Sequence, residues 1–182
     1  MTSNIKKLVF RWYHTLILTE DNEVFGFGIS TEGQLASTSN VLVPTKLFEN
    51  VTAIGTGYQY SVIVEYNSEG YTFGDNTGDK LGLDSSQYFY ENPLFGLNFV
   101  FSPGNRHTMV LDKDSGEIYG YGYNAAKEID WTGPSSITQP VKTNFYNVTD
   151  VVASVQRTMI LLSNNHLYCV GINSVCQKIY HL

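Results

Sequence analysis

His14 and His107 are the residues whose type and placement first suggest chemistry. Each precedes a threonine and opens a short apolar run, where an imidazole could serve as a base or a metal ligand. Tyr60 and Arg157 hold the same place in two further runs, which breaks the pattern that a ligand set would need. The reading that covers all four is structural, with the histidine making a hydrogen bond inside its own repeat. His166 and His181 have no companion at metal-ligand spacing. Cys169 and Cys176 stand seven apart, with no second pair to complete a zinc site, so they read as reduced thiols. Glu20, Asp21, Glu23, Asp112 and Asp114 fall in turn sequences. Asp75 with Asp79, and Glu128 with Asp130, form no pair in a setting that would perturb a carboxyl pKa. Gly26-Phe27-Gly28 and Gly120-Tyr121-Gly122 begin like phosphate loops, but no third glycine and no helix follow. Neither a Gly-x-Ser-x-Gly elbow nor a Cys/His nucleophile pair is present. These residues predict no catalytic group, no metal and no cofactor, and the chain reads as a non-enzyme.

What must position these side chains is a repeat. Gly28, Gly74, Gly122 and Gly171 are spaced 46, 48 and 49 residues apart, and each ends a segment carrying an aromatic three residues before it. A shift of 46 places Ile5 on Val51, Leu8 on Ile54, His14 on Tyr60, Phe27 on Phe73 and Leu35 on Leu81. The repeats run roughly 5–50, 51–97, 98–147 and 148–182 within one domain, 1–182, and the last is expected to lack its final loop and strand. Within each, short apolar runs alternate with turns such as Glu20-Asp21-Asn22-Glu23 and Ser163-Asn164-Asn165, residues suited to hairpins. The third strand alternates large and small residues, as in Phe25-Gly26-Phe27. Its small residues are expected to let neighbouring sheets approach. Asn50-Val51-Thr52 and Asn147-Val148-Thr149 match a glycosylation sequon, but both open a repeat and read as repeat structure. Four short strands per period near 50, with no helical periodicity, predict an all-β propeller.

The pattern resembles the repeat of the regulator of chromosome condensation family. It stands here as His14-Thr15-Leu16-Ile17-Leu18 … Val24-Phe25-Gly26-Phe27-Gly28 … Gly33-Gln34-Leu35. It recurs as Tyr71-Thr72-Phe73-Gly74-Asp75-Asn76 … Leu81-Gly82 and as Gly104-Asn105-Arg106-His107-Thr108 … Gly122-Tyr123-Asn124. The resemblance implies a β-propeller, normally of seven blades, of which about four are present. It also implies guanine-nucleotide exchange on a small Ran-like GTPase as one possible activity. That activity would need a protruding loop, and no loop here aligns with one. The bulky position, typically Trp in the family, is Phe27, Phe73, Tyr121 and Val170.

Four blades leave sheet faces uncovered, and uncovered apolar faces are association sites. Three solutions are open: another polypeptide that completes or caps the propeller, self-association, or docking on a larger complex. A fragment of a longer protein would show the same faces. The expected function is therefore a non-enzymatic module for protein–protein interaction, a subunit or scaffold of an assembly, with regulation of a small GTPase as the alternative. Tyr88, Phe89 and Tyr90, read as an inter-repeat loop, and Trp131 are the candidate contact residues. With a net charge of −6 and 11 Lys and Arg that never form a run, nucleic acid is not an expected partner. No run of 18 apolar residues occurs, and the N-terminus has no apolar signal stretch. No membrane contact is expected, and the location reads as cytosolic or nuclear.

Overall fold

The structure is a computed structural model that describes residues 3–66, 70–82, 89–91, 98–130, 132–172 and 180–181, with backbone alone for 89–91 and 180–181. Sixteen strands are described. The first sheet holds β1 (Ile5–Arg11), β2 (His14–Thr19), β3 (Val24–Gly28) and β4 (Val41–Phe48). The second holds β5 (Val51–Thr56), β6 (Tyr60–Glu65), β7 (Gly70–Gly74) and β8 (Phe89–Glu91). The third holds β9 (Phe99–Pro103), β10 (His107–Asp112), β11 (Glu117–Tyr123) and β12 (Ser136–Lys142). The fourth holds β13 (Val148–Ala153), β14 (Arg157–Leu162), β15 (His166–Gly171) and β16 (Tyr180–His181). Each sheet is an antiparallel meander in chain order. The fold is all-β, of the propeller type, with no helix among the described residues. Two differences from the sequence reading stand out. The fourth sheet has a final strand, the two-residue β16 paired with β15. Phe89 and Tyr90 lie in a strand rather than a loop, paired with Phe73 and Thr72.

The recurrent glycine has a backbone cause. Gly28, Gly74, Gly122 and Gly171 all have φ between 104° and 120°. A Cβ there would lie 2.2–2.4 Å from the carbonyl oxygen of Tyr13, Gln59, Arg106 or Gln156. That same carbonyl accepts the N–H of the residue after the glycine, at 2.7–2.9 Å in all four sheets. Only a glycine allows the chain to leave the third strand along this path. Elsewhere asparagine takes the left-handed conformation it tolerates best. Asn22 and Asn165 do so in hairpins, and Asn50 and Asn147 at the entries to the second and fourth sheets.

The small residue of the third strand makes room for its own repeat. A Cβ on Gly26 would meet Leu47 at 2.5 Å and Leu35 at 2.8 Å, and one on Gly120 would meet Ile129 at 2.3 Å. Leu35, Leu81 and Ile129 occupy one repeat position, and all three are fully buried. The expected approach of neighbouring sheets is not what these glycines serve. The loop after the third strand folds back and inserts its aliphatic residue over them.

The chain divides into two compact units, one of residues 1–76 and 85–97, the other of 77–84 and 98–182. In the first, Leu16, Leu18, Val24 and Leu35 pack on Val51, Ile54, Ile63 and Phe73 of the second sheet, with Phe48 and Phe73 rings 5.5 Å apart. In the second, β10 packs on β13. Met109, Leu111, Val151, Ile160 and Val170 are buried there.

Candidate functional site

The histidines join neighbouring sheets rather than stapling their own. His14 Nε2 lies 2.9 Å from Ser61 Oγ of the second sheet, and Ser61 Oγ donates to the Gln34 carbonyl at 2.7 Å. With the hydroxyl proton committed to that carbonyl, Nε2–H is the donor and Ser61 the acceptor. Burial holds the His14 imidazole neutral, with its pKa lowered to about 4, and a smaller contribution from the Tyr60 backbone works the other way. The second unit repeats the device: His107 Nε2 lies 2.9 Å from Thr158 Oγ1. Thr108 Oγ1 donates to the Lys80 carbonyl at 3.2 Å, as Ser61 does to Gln34. The loop presenting the Gln34 carbonyl is itself anchored, with Ser30 Oγ accepting from the Leu35 N–H. In the equivalent loop of the third repeat, Asn124 makes four hydrogen bonds to Ile129, Asp130 and Pro134. The histidines are thus fasteners that carry the register of one sheet to the next.

Among the described residues, neither histidine fastener reaches the other face of the first sheet. Register places Ile5, Leu8, Phe10, Thr15 and Ile17 on one face, the face opposite to Val9 and Leu16. The corresponding face of the second sheet carries Val51, Ile54 and Ser61 and is covered by the first sheet. Ile5 is 55% exposed where Val51 is 0% and Val148 is 4%. Leu8 is 52% exposed where Ile54 is 2% and Val151 is 3%. Phe10 is 73% exposed. Thr15 stands half-buried where Ser61 and Thr158 accept a histidine, and both described fasteners are engaged elsewhere. Phe27, at the bulky position, is also half-buried, whereas Phe73, Tyr121 and Val170 are buried.

This face ends in an aromatic corner. β1 and β2 are joined at Trp12 and Tyr13, where the Tyr13 N–H bonds the Arg11 carbonyl at 2.7 Å and Trp12 has φ 51°. A bulky residue in that conformation is strained. Its ring is 65% exposed and packs edge-on to Tyr58, with centroids 5.6 Å apart, and Tyr13 completes the cluster. A shallow cleft of about 200 Å³ lies beside it, lined by Phe10, Trp12, Tyr13, Thr15 and Phe27 among others.

Of the contact residues expected from sequence, Tyr88 and Trp131 lie outside the described residues, and Phe89 and Tyr90 are described only by their backbone in β8. The residues that form the exposed apolar surface, Ile5, Leu8, Phe10 and Trp12, were not singled out. Leu8 shares its repeat position with Ile54 and Val151, both buried, so the repeat pattern alone carries no signal of its exposure. Among the described residues no cluster of His, Cys, Asp or Glu could hold a metal.

Known proteins share this fold. The family model described as "Regulator of chromosome condensation (RCC1) repeat" matches residues 5–34, the segment that carries the first fastener and the loop it serves. The chain is similar to proteins of the regulator of chromosome condensation family. The ultraviolet-B receptor UVR8 of Arabidopsis thaliana is 27% identical over 172 residues, which are 87% of this chain and 39% of UVR8. Prp20p of Saccharomyces cerevisiae, solved in a study of its binding to Gsp1p and histones, superposes with a TM-score of 0.81 at 20% identity. The match covers 94% of this chain and 46% of that one. Human WBSCR16 superposes with a TM-score of 0.85 at 17% identity, covering all of this chain and 55% of the other. The chain therefore spans about two-fifths of UVR8 and about half of these two structures, and the structural likeness is one of fold.

Proposed function

We propose that this chain is a non-enzymatic propeller module for protein–protein interaction, a subunit or scaffold of a larger assembly, acting through the outward face of its first sheet. One observation carries the reading. Ile5 and Leu8 are more than half exposed at repeat positions that are closed in the second and fourth sheets. Burying each of these side chains is worth roughly 1.5–3 kcal/mol, which makes the face a strong association site. The neighbouring Trp12, Tyr13 and Tyr58 supply the aromatic anchors that interface cores favour. A cytoplasmic or nuclear setting goes with this reading. Among the described residues no helix is long and apolar enough to cross a membrane.

The experiment is affinity purification of the tagged chain from its source cells, side by side with Leu8→Glu. A stoichiometric partner that is lost with Leu8→Glu supports the reading. Partners unchanged by the substitution would sink it. Regulation of a small Ran-like GTPase is the second reading, favoured by the study of Prp20p with Gsp1p. It is tested by release of labelled nucleotide from such a GTPase, and unaccelerated release removes it.

A further inference from the structure

Glu128 is an ionisable residue in a place built for an uncharged one. It holds the repeat position of Gln34, and both side chains are buried, at 1% and 0% exposure. Both tie their loop in the same way. Gln34 Oε1 accepts the Glu32 N–H at 2.9 Å, and Glu128 Oε2 accepts the Ala126 N–H at 3.1 Å. Where Gln34 carries a neutral amide nitrogen, Glu128 carries a second carboxyl oxygen. The residue that follows, Leu35 or Ile129, is the one that seats over the third-strand glycine. A Cβ on Gly120 would meet Ile129 at 2.3 Å and the Met109 sulfur at 3.0 Å, so the seat of Ile129 is closely fitted.

The sequence around Glu128 and Asp130 predicted no perturbed carboxyl, and for Glu128 burial overturns that expectation. Burial is the largest influence and pushes its pKa up. The N–H groups of Glu128 and Ala126, and last Lys127, work the other way. The neighbouring charged groups are turned elsewhere. Lys127 Nζ donates to the Gly133 carbonyl at 2.7 Å, and Asp130 Oδ1 accepts the Thr132 N–H at 3.0 Å. Asp79 bonds Ser136, Arg106 lies over the Tyr123 ring, Arg157 donates to the Ile172 carbonyl and His107 reaches Thr158. Of the described charged groups, the buried Lys80 included, Lys127 is the one that acts on the Glu128 carboxyl.

We propose that Glu128 makes the loop after β11 an acid-held latch, seated over Gly120 while the carboxyl keeps its proton and released when it ionises. Release withdraws Ile129 and bares Gly120 and Met109. The sign follows from linkage. In water the carboxyl loses its proton near 4.5, and in the seated loop only at higher pH. As pH rises past 4.5 the open loop binds fewer protons than the seated one, so seating weakens. The loop of the first repeat, with Gln34, has no such dependence. The latch lies within the second unit and stands independently of the first-sheet face.

The test is amide hydrogen exchange on the purified full chain and on Glu128→Gln from pH 5 to pH 8, with the intrinsic pH dependence of exchange divided out. The readout is protection of the Ile129 and Asp130 amides, which Asn124 Oδ1 holds at 2.9 and 3.2 Å. The Leu35 amide, held by Ser30 Oγ at 3.0 Å, is the reference within the same molecule. In the wild type, protection at Ile129 and Asp130 should fall by about threefold or more as pH rises, while Leu35 shows no fall. Glu128→Gln installs the residue already accepted at position 34 and should keep both amides level across the range. Level protection in the wild type would overturn the inference. A fall that Glu128→Gln shares would place the titrating group elsewhere, and a fall that Leu35 shares would be loosening of the whole chain; either overturns it as well.

Discussion

The His14 fastener makes the stability of the first unit depend on pH with a sign and size that can be worked out. In the unfolded chain the imidazole takes up its proton near 6.5. In the folded chain, buried and held as an Nε2–H donor to Ser61, it does so only near 4. Between these values the unfolded state binds more protons, so stability falls as pH falls. Above 6.5 the contribution is fully present, and it is lost progressively down to about 4. At pH 5 the loss from this one group is about 2 kcal/mol, from 1.36 kcal/mol per pKa unit over the interval already crossed. The reference is His14→Gln, which keeps an N–H donor near Ser61 but does not titrate. Urea unfolding followed by circular dichroism from pH 7.5 to pH 5 gives both stabilities, and their difference removes every other titrating group. That difference should shrink by about 2 kcal/mol across the range. A difference that stays flat would refute the assignment of His14 as a buried neutral donor. A difference that grew with acid would refute it more strongly, since it would mean that the folded state favours the imidazolium.

Three further substitutions follow from the same geometry. Ser61→Ala leaves the buried His14 N–H without its acceptor and should cost about 1–3 kcal/mol in urea unfolding, while Ser61→Thr, which installs the residue found at Thr108 and Thr158, should be close to neutral. Gly74→Ala puts a methyl 2.4 Å from the Gln59 carbonyl at φ 117°, so a loss of about 1–3 kcal/mol or more is expected, and a neutral result in thermal unfolding would contradict the account of the recurrent glycine. Gly26→Ala would press on Leu47 and Leu35 and should cost about 1–3 kcal/mol, with partial recovery in the double variant Gly26→Ala, Leu35→Ala, because a smaller loop residue vacates the space.

Much of the fold was legible because a repeat states its rules several times. The spacing of Gly28, Gly74, Gly122 and Gly171 reflects a requirement that is local to the backbone, a positive φ beside a carbonyl two strands' length away, and a local requirement leaves its mark on residue type. The same holds for Asn22 and Asn165 in their hairpins. The partner of His14 was not legible. An imidazole's neighbour is set by how sheets stack, and the sequence around His14 and Thr15 reads alike whether the bond stays in its sheet or crosses to Ser61. The strand at Phe89 and Tyr90 was not legible either, because three residues carry too little alternation to register.

The sequence by itself determined the period, the strand order within each sheet and the glycines that permit it, since these follow from chain geometry within about fifty residues. Only the tertiary structure decided which apolar residues are covered. Ile5, Leu8 and Met159 have the same chemistry as their buried counterparts, and nothing local marks them as exposed. Their exposure is set by how the sheets pack, a property of the packed molecule rather than of any stretch of its chain.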